Sequence, residues 1–404
     1  MTGVGIQKIA TWPSTLCLSM TTLCRARPEL DAAYVRDELI ADARTVLPPW
    51  EDTVTLAVNA AERLLTPDEI PRIGLLVFAT ETSLDREKAA STWVHRHLGL
   101  GSRCRNFEVK HACYGATAAL RVAEGWLATR PDDDAAALVV SADHNLLALG
   151  QPYEPVNGAG AVALLVSRRP DVLSLEPGAG VFAVEEHGVV RPTAHIETGN
   201  AAASLYAYVD ALDGALDDYE DTAGPFEPDA FAACIYHMPF AGMGRRAHRV
   251  VMQRAGVTEA DAIEAAFTRQ VLPGLRHLRR IGATYGASTF VGLQTHAERL
   301  DAGARVSLFA YGTGSCAELY TGRIGPGARA CAAEAALGAL VDARAPLDVD
   351  VYRALERARD AAWERADFTP DRALVPGHFE AAWAGTGRLY LDGVCGYERR
   401  YRRA

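Results

Sequence analysis

Apolar positions along this chain recur with two different periods, and the switches between them mark out the elements. Residues 4–9 predict a short first strand. Residues 36–47 predict a charged, exposed helix and turn, closed by Pro48 and Pro49. Within 52–65, Val54, Leu56, Ala57, Ala60, Ala61 and Leu64 share one helical face, and Pro67 follows. Residues 73–78 are continuously apolar, as in a strand buried on both sides. A helix over 88–97 comes next. Phe107 and Val109 then alternate with Glu108 and Lys110, a half-buried strand. From Cys113 the spacing turns helical, through Ala116, Ala119, Leu120, Ala123, Trp126 and Leu127, and stops before Pro131. Buried strands are predicted over 136–141 and 158–167.

The second half repeats this grammar. Residues 203–216 read as a helix with Leu205, Val209, Leu212 and Leu216 on one stripe. A strand follows over 231–235, then helices over 243–255 and 258–278, the latter broken at Pro273 and Gly274. A small-residue helix over 286–293 precedes a strand over 306–310. The tail from 341 is helix and turn, with a strand over 388–392. Strands and helices alternating in this way imply an α/β fold, a mixed sheet covered by helices on both faces.

Composition narrows the function. A chain of 404 residues exceeds one ordinary core, so two domains or two fused halves are expected. Its net charge of −10 argues against a nucleic-acid or anionic-membrane partner. The eight cysteines are scattered without CxxC spacing, so neither a metal site nor a disulfide framework is indicated. No apolar run is long enough to span a bilayer, and a cytoplasmic setting with reduced thiols is expected.

Cys113 sits where a strand hands over to a helix. Free N–H groups and the positive end of the helix dipole there favour thiolate, the nucleophilic form. The alternative is an inert buried thiol. Glu81 follows the C-terminal end of a buried strand, where α/β folds gather functional groups, although a solvated loop carboxylate would look the same. His237 also ends a strand, held by the Pro239 that follows, and can serve as acid, base or carbonyl donor, or be a satisfied core histidine. The turn Gly312, Thr313, Gly314 can aim N–H groups at an oxyanion, or simply be tight. The basic run 245–254 fits a phosphopantetheine carrier, an acidic surface or a phosphate, or a solvated helix face.

Several segments carry a family resemblance: Ala-Thr-Glu-Thr around Glu81, Glu-Val-Lys-His-Ala-Cys-Tyr-Gly-Ala-Thr around Cys113, and Tyr-His-Met-Pro-Phe around His237. With Glu-Pro-Val-Asn-Gly-Ala-Gly from Glu154 and Tyr-Gly-Thr-Gly from Tyr311, the chain resembles the 3-hydroxy-3-methylglutaryl-CoA synthases of the thiolase superfamily. Segments 45–54 and 239–248 look most like the branch that installs β-methyl groups in polyketide assembly lines. The resemblance implies a thiolase-like αβαβα fold of two pseudo-repeated halves, 1–170 and 171–404.

It also implies roles. Cys113 would carry an acetyl group from a donor acyl carrier protein. Glu81 would make the enolate. His237 would polarise the β-keto carbonyl of an acceptor carrier thioester, and N–H groups of Cys113 and the Gly312–Gly314 turn would hold the thioester oxyanion. Phosphopantetheine thioesters of carrier protein or CoA are then the substrates, with no bound cofactor or metal, and a homodimer is implied. Two departures stand out. Gly242 replaces the lysine expected to help bind CoA, which suits a carrier protein, with Arg245 and Arg246 as candidate contacts. Ala283 replaces an asparagine that shares the acceptor carbonyl with the histidine, and Tyr285 or water would have to substitute. Ala283 is also what supports the alternative, an acyltransferase or thioesterase that moves the acyl group to O, N or water. The retained Glu81 counts against it, because simple acyl transfer needs no carbanion base.

Overall fold

A computed structural model describes residues 3–146, 148–193 and 196–404. Nine strands make its large sheet: β1 Gly5–Trp12, β2 Ile73–Ala79, β3 Arg105–Val109, β4 Ala136–His144, β5 Ala159–Ser167, β6 Leu173–Ala183, β7 Ala233–Tyr236, β8 Arg305–Gly312 and β9 Cys316–Ile324. Their order is β7-β8-β9-β6-β1-β5-β4-β2-β3. Only short pairing joins the two sides at the centre, with Gly5 opposite Ser174 and Ile6 opposite Leu173. Strand β2 runs parallel to both β3 and β4, and β7 runs parallel to β8. The carboxyl ends of these strands therefore lie together on each side.

The pleat sends alternate side chains into different cores. From β2, Leu76 and Phe78 enter one cluster with the helix Thr53–Glu62. Leu75 and Val77 enter a second, with the helices Gly115–Ala128 and Ala287–Ala297. The latter helix has every residue buried, as a middle layer requires. A third cluster, with Leu212 and Leu216 of the helix Ala201–Ala223, covers the far face of β7 and β8. Helix, sheet, helix, sheet, helix is the thiolase-like layering. We propose 1–170 and 171–404 as its two repeats, with the last segment crossing between them. Trp383 packs edge-on against Trp12 and Trp50, and Asn59 pairs with the backbone of Leu389, so the tail closes the first core.

The segment 36–47 differs from expectation. Its helix lies earlier, at Ala32–Asp37, and Ala43–Val46 is a strand paired with Leu16–Ser19. Arg44 misleads, because it is buried, donating to the Glu154 carbonyl and the Tyr352 hydroxyl. Strand β6 was not expected either. Its glycines break the apolar pattern, and Gly180 is needed because a Cβ there would collide with the Ala215 carbonyl and lie 2.5 Å from the Tyr219 nitrogen of the covering helix. Among the described residues no helix is long and apolar enough to cross a membrane.

Candidate active site

Glu81, Cys113 and Asp143 all leave the carboxyl edge formed by β2, β3 and β4. The Thr80 N–H still bonds the Val109 carbonyl at 3.2 Å, so Glu81 begins just where pairing ends. Cys113 lies in a 3-10 turn, Ala112–Tyr114, directly before the helix Gly115–Ala128. Ala112 reaches φ +44°, a left-handed conformation that costs a non-glycine residue about 1 kcal/mol or more and lifts the cysteine out of the strand's line.

His237 arrives from the other half. Its N–H bonds the Phe309 carbonyl at 2.6 Å, and its carbonyl accepts from the Tyr208 hydroxyl at 2.8 Å. The ring is buried, and Nδ1 has no partner among the described residues. Gly312 ends β8 beside His237 and packs on the nucleophile turn. A Cβ there would collide with the His111 carbonyl and lie 2.9 Å from the Tyr114 nitrogen, so only glycine fits. Gly286 likewise abuts the Cys113 carbonyl and the Ala116 nitrogen. The predicted Cys113, Glu81, His237 and Gly312–Gly314 set thus converges from four separate segments. Thr313 turns aside, its Oγ1 accepting from the Val189 N–H at 3.3 Å, while the Gly314 carbonyl accepts from the Glu186 N–H at 2.7 Å.

The electrostatics overturn one expectation. Burial pushes the Cys113 thiol well above its usual pKa, and the carboxylates of Glu81 and Asp143 push it further. Helix-end N–H groups do not win here, and the resting nucleophile is a thiol. Burial also raises Glu81; Lys110, the N–H groups of Ala112 and His111, and Arg191 partly offset it. The Glu81 Oε1 is buried with no partner among the described residues. Burial lowers His237 to about 3, so its imidazole is neutral.

Asp143 is not among the residues that the sequence singles out. Its buried Oδ1 accepts from the N–H groups of Glu81 and Thr82, at 2.8 and 3.0 Å, and from the hydroxyls of Thr80 and Thr82, at 3.0 and 2.8 Å. It fixes the Glu81 loop. No motif spacing announces it, because the contact spans 62 residues of chain. Arg191 was missed entirely: it donates to the Glu81 carbonyl and to the Tyr285 hydroxyl.

Ala283 lines a narrow groove with Pro155, Val156, Met238, Phe240 and Gly282. Its N–H bonds the Val156 carbonyl, and its carbonyl accepts from Gly158 N–H and Asn145 Nδ2, leaving a methyl group as its side chain's whole contribution. Tyr285, two residues on, sits near enough for Cys113 and Asp143 to raise its phenol pKa, after burial as the main cause. Gly242 lies beside this groove. Its N–H bonds the Leu39 carbonyl at 3.0 Å, and a Cβ would overlap the Glu38 carbonyl. The basic helix Met243–Arg254 is less free than its charge suggests. Arg245 pairs with Glu264 at 3.3 Å, donates to the Asp37 carbonyl and lies over Phe267, whereas Arg246 lies over Phe240 at the groove.

Known proteins match this arrangement. The profile for the hydroxymethylglutaryl-coenzyme A synthase N terminal covers residues 36–171, and that for the C terminal covers 247–403. The polyketide biosynthesis 3-hydroxy-3-methylglutaryl-ACP synthase PksG of Bacillus subtilis is 32% identical over 100% of this chain and 99% of its own. The crystal structure of the curacin pathway HMG synthase with holo donor-ACP superposes with a TM-score of 0.93 at 33% identity, covering 99% of this chain and 100% of that one. A hydroxymethylglutaryl-CoA synthase of Enterococcus faecalis is 32% identical over 87% of this chain and 91% of its own. With both halves matched and the same full-length fold, this chain belongs to the hydroxymethylglutaryl-CoA synthase family.

Proposed function

We propose that this enzyme adds an acetyl-derived carbanion to the β-keto group of a carrier-bound polyketide thioester, the condensing step of β-branching. The buried, unpartnered Glu81 oxygen in electrostatic reach of Cys113 carries this reading. Acyl transfer to oxygen, nitrogen or water passes through no carbanion, whereas condensation requires a base that removes a methyl proton from the acetyl thioester.

The chemistry follows from the protonation states. Cys113 attacks the acetyl thioester of a donor carrier protein, and its proton ends on the departing phosphopantetheine thiol. Glu81, with its raised pKa, is a strong enough base to take a methyl proton, leaving an enolate. The enolate carbon bonds the acceptor's β-carbon. Neutral His237 donates to that carbonyl, and Glu81 returns its proton to the new alkoxide. Water then cleaves the Cys113 thioester, giving a 3-hydroxy-3-carboxymethyl acyl chain on the acceptor. N–H groups of Cys113 and the Gly312–Gly314 turn hold the oxyanion in the thioester steps.

Arg246, lying over Phe240, suits contact with an acidic carrier protein. The PksG of Bacillus subtilis is named for an ACP-linked product, and the curacin enzyme was solved with its donor-ACP. Gly242, sealed against Glu38, leaves no place for a CoA-binding lysine. Strand β3 lies at an edge of the sheet with Phe107 exposed, which suits pairing with a second copy in a homodimer. Eight unpaired cysteines suit a reducing cytoplasm.

Incubation with acetyl and acetoacetyl carrier proteins, followed by intact-protein mass spectrometry, tests the proposal. The acceptor should gain the mass of the carboxymethyl adduct, and Cys113→Ala should remove both the adduct and the acetyl-enzyme. Acetyl-enzyme that forms and merely hydrolyses, or passes its acyl group to an alcohol or amine, would favour the acyltransferase alternative.

A further inference from the structure

Two short strands, Val189–Thr193 and Ile196–Gly199, pair as an antiparallel ribbon separate from the large sheet. The ribbon is pinned to the oxyanion turn by the Val189 N–H on Thr313 Oγ1. Glu197 hydrogen-bonds the Tyr153 hydroxyl on another side. From this position Arg191 reaches inward. Its Nη2 donates to the Glu81 carbonyl, and its Nη1 lies 3.4 Å from the Tyr285 hydroxyl oxygen. Glu81 follows β2, and Tyr285 precedes the helix Ala287–Ala297, so one guanidinium spans both halves of the site.

A phenol oxygen that accepts from an arginine must direct its own hydrogen elsewhere. Tyr285 is held at φ +48° two residues after Ala283, the position that offers no donor. We propose that Arg191 is a positioning residue for condensation: it fixes the loop of the base Glu81 and turns the Tyr285 O–H toward the acceptor carbonyl, supplying the hydrogen bond that Ala283 cannot. This role rests on the condensing reading above.

Charge supports the geometry. Glu81 faces Lys110 and the N–H groups of His111 and Ala112 from the nucleophile strand and turn, and Arg191 from the ribbon. Cys113 and Asp143 both sense its carboxylate. Burial raises Glu81, and Arg191 is among the groups that oppose the rise. Loss of that cation raises Glu81 further, so a higher pH is needed to ionise the base.

The test uses the full-length enzyme acetylated with acetyl-pantetheine. Exchange of the acetyl methyl protons in D2O reads Glu81 without an acceptor, and single-turnover condensation with acetoacetyl carrier protein reads the whole step, both across pH. For Arg191→Gln the acetylation rate should stay within about twofold of wild type. The acid limb of exchange should move up by about one pH unit, at the low end of the range for a nearby opposite charge. Arg191→Lys keeps the charge without the fork, so its limb should stay while condensation slows about tenfold. An unmoved limb in Arg191→Gln, or a lysine variant condensing at the wild-type rate, overturns the proposal. Acetylation falling as far as condensation would also overturn it, since a purely structural strap would do that. Wild-type enzyme that acetylates but neither exchanges nor condenses sinks the condensing reading itself.

Discussion

A single methyl group at Gly242 should be enough to disturb this enzyme. A Cβ there would overlap the Glu38 carbonyl oxygen and stand 2.9 Å from its carbon, with the Leu39 carbonyl carbon at 3.4 Å. The overlapped Glu38 oxygen, nearer than the carbon, sets the shift: to reach even a tight contact of about 3 Å, segment 38–40 must retreat by more than about 1 Å. That segment supplies the acceptor for the Gly242 N–H, and Leu39 and Ile40 line the groove to Ala283. Losing one backbone hydrogen bond costs about 1 kcal/mol, and overpacking adds about 1–3 kcal/mol. The total of about 2–4 kcal/mol corresponds to a Tm lower by roughly 4–8 °C at about 2 °C per kcal/mol for a large chain. Scanning calorimetry on Gly242→Ala reads the Tm, and kcat/KM for an acetyl carrier protein reads the groove; both should fall. Gly242→Lys should be worse on both and gain no use of acetyl-CoA. A Gly242→Ala enzyme within about 1 °C of wild type, or a stable Gly242→Lys enzyme that takes up acetyl-CoA, would refute the claim that backbone packing excludes the lysine.

Glu81→Gln should acetylate normally yet slow condensation by about a hundredfold or more, the usual worth of a general base, as rapid-quench mass spectrometry would register; equal loss in both steps would remove Glu81 from the base role. Asp143 is pushed up to about 7, by burial first and then by the Glu81 charge. Its folded pKa exceeds the ordinary 3.8, so its stabilising contribution is full below about pH 4 and is lost as pH rises through about 7. Asp143→Asn should therefore flatten the fall of unfolding free energy between those pH values by an amount on the order of 4 kcal/mol, three pKa units at about 1.4 each. Parallel wild-type and variant curves would contradict the shift. Because Tyr285 is proposed to supply the bond that Ala283 cannot, a folded Ala283→Asn enzyme should condense and acetylate within about threefold of wild type; condensation faster by about a hundredfold, the usual worth of a missing donor, would show that Tyr285 does not supply it.

Local pattern determined a large part of this protein. The runs around Leu76, Val139 and Leu164 are apolar on both pleat faces because helices cover both sides, and that can be read without knowing which helices. Asp52 caps the helix Thr53–Glu62 through Thr55, a signal three residues long. Cys113 at a strand-to-helix junction, Glu81 past a buried strand and His237 before a proline were legible for the same reason: each depends on neighbours in sequence, and the family motifs are built on them. Tertiary structure alone decided what surrounds those side chains. The protonation of Cys113 is set first by burial and then by Glu81 and Asp143, brought in from other strands, and together these outweigh a helix end. The hold of Asp143 on the Glu81 loop spans 62 residues of chain, and that of Arg191 on Glu81 spans 110. Gly242 read as a missing lysine, but its cause is the carbonyl of Glu38 lying where a side chain would begin. Periodicity and capping are short-range and survive in one dimension. Close approach, desolvation and charge coupling depend on distances that exist only once the chain has closed.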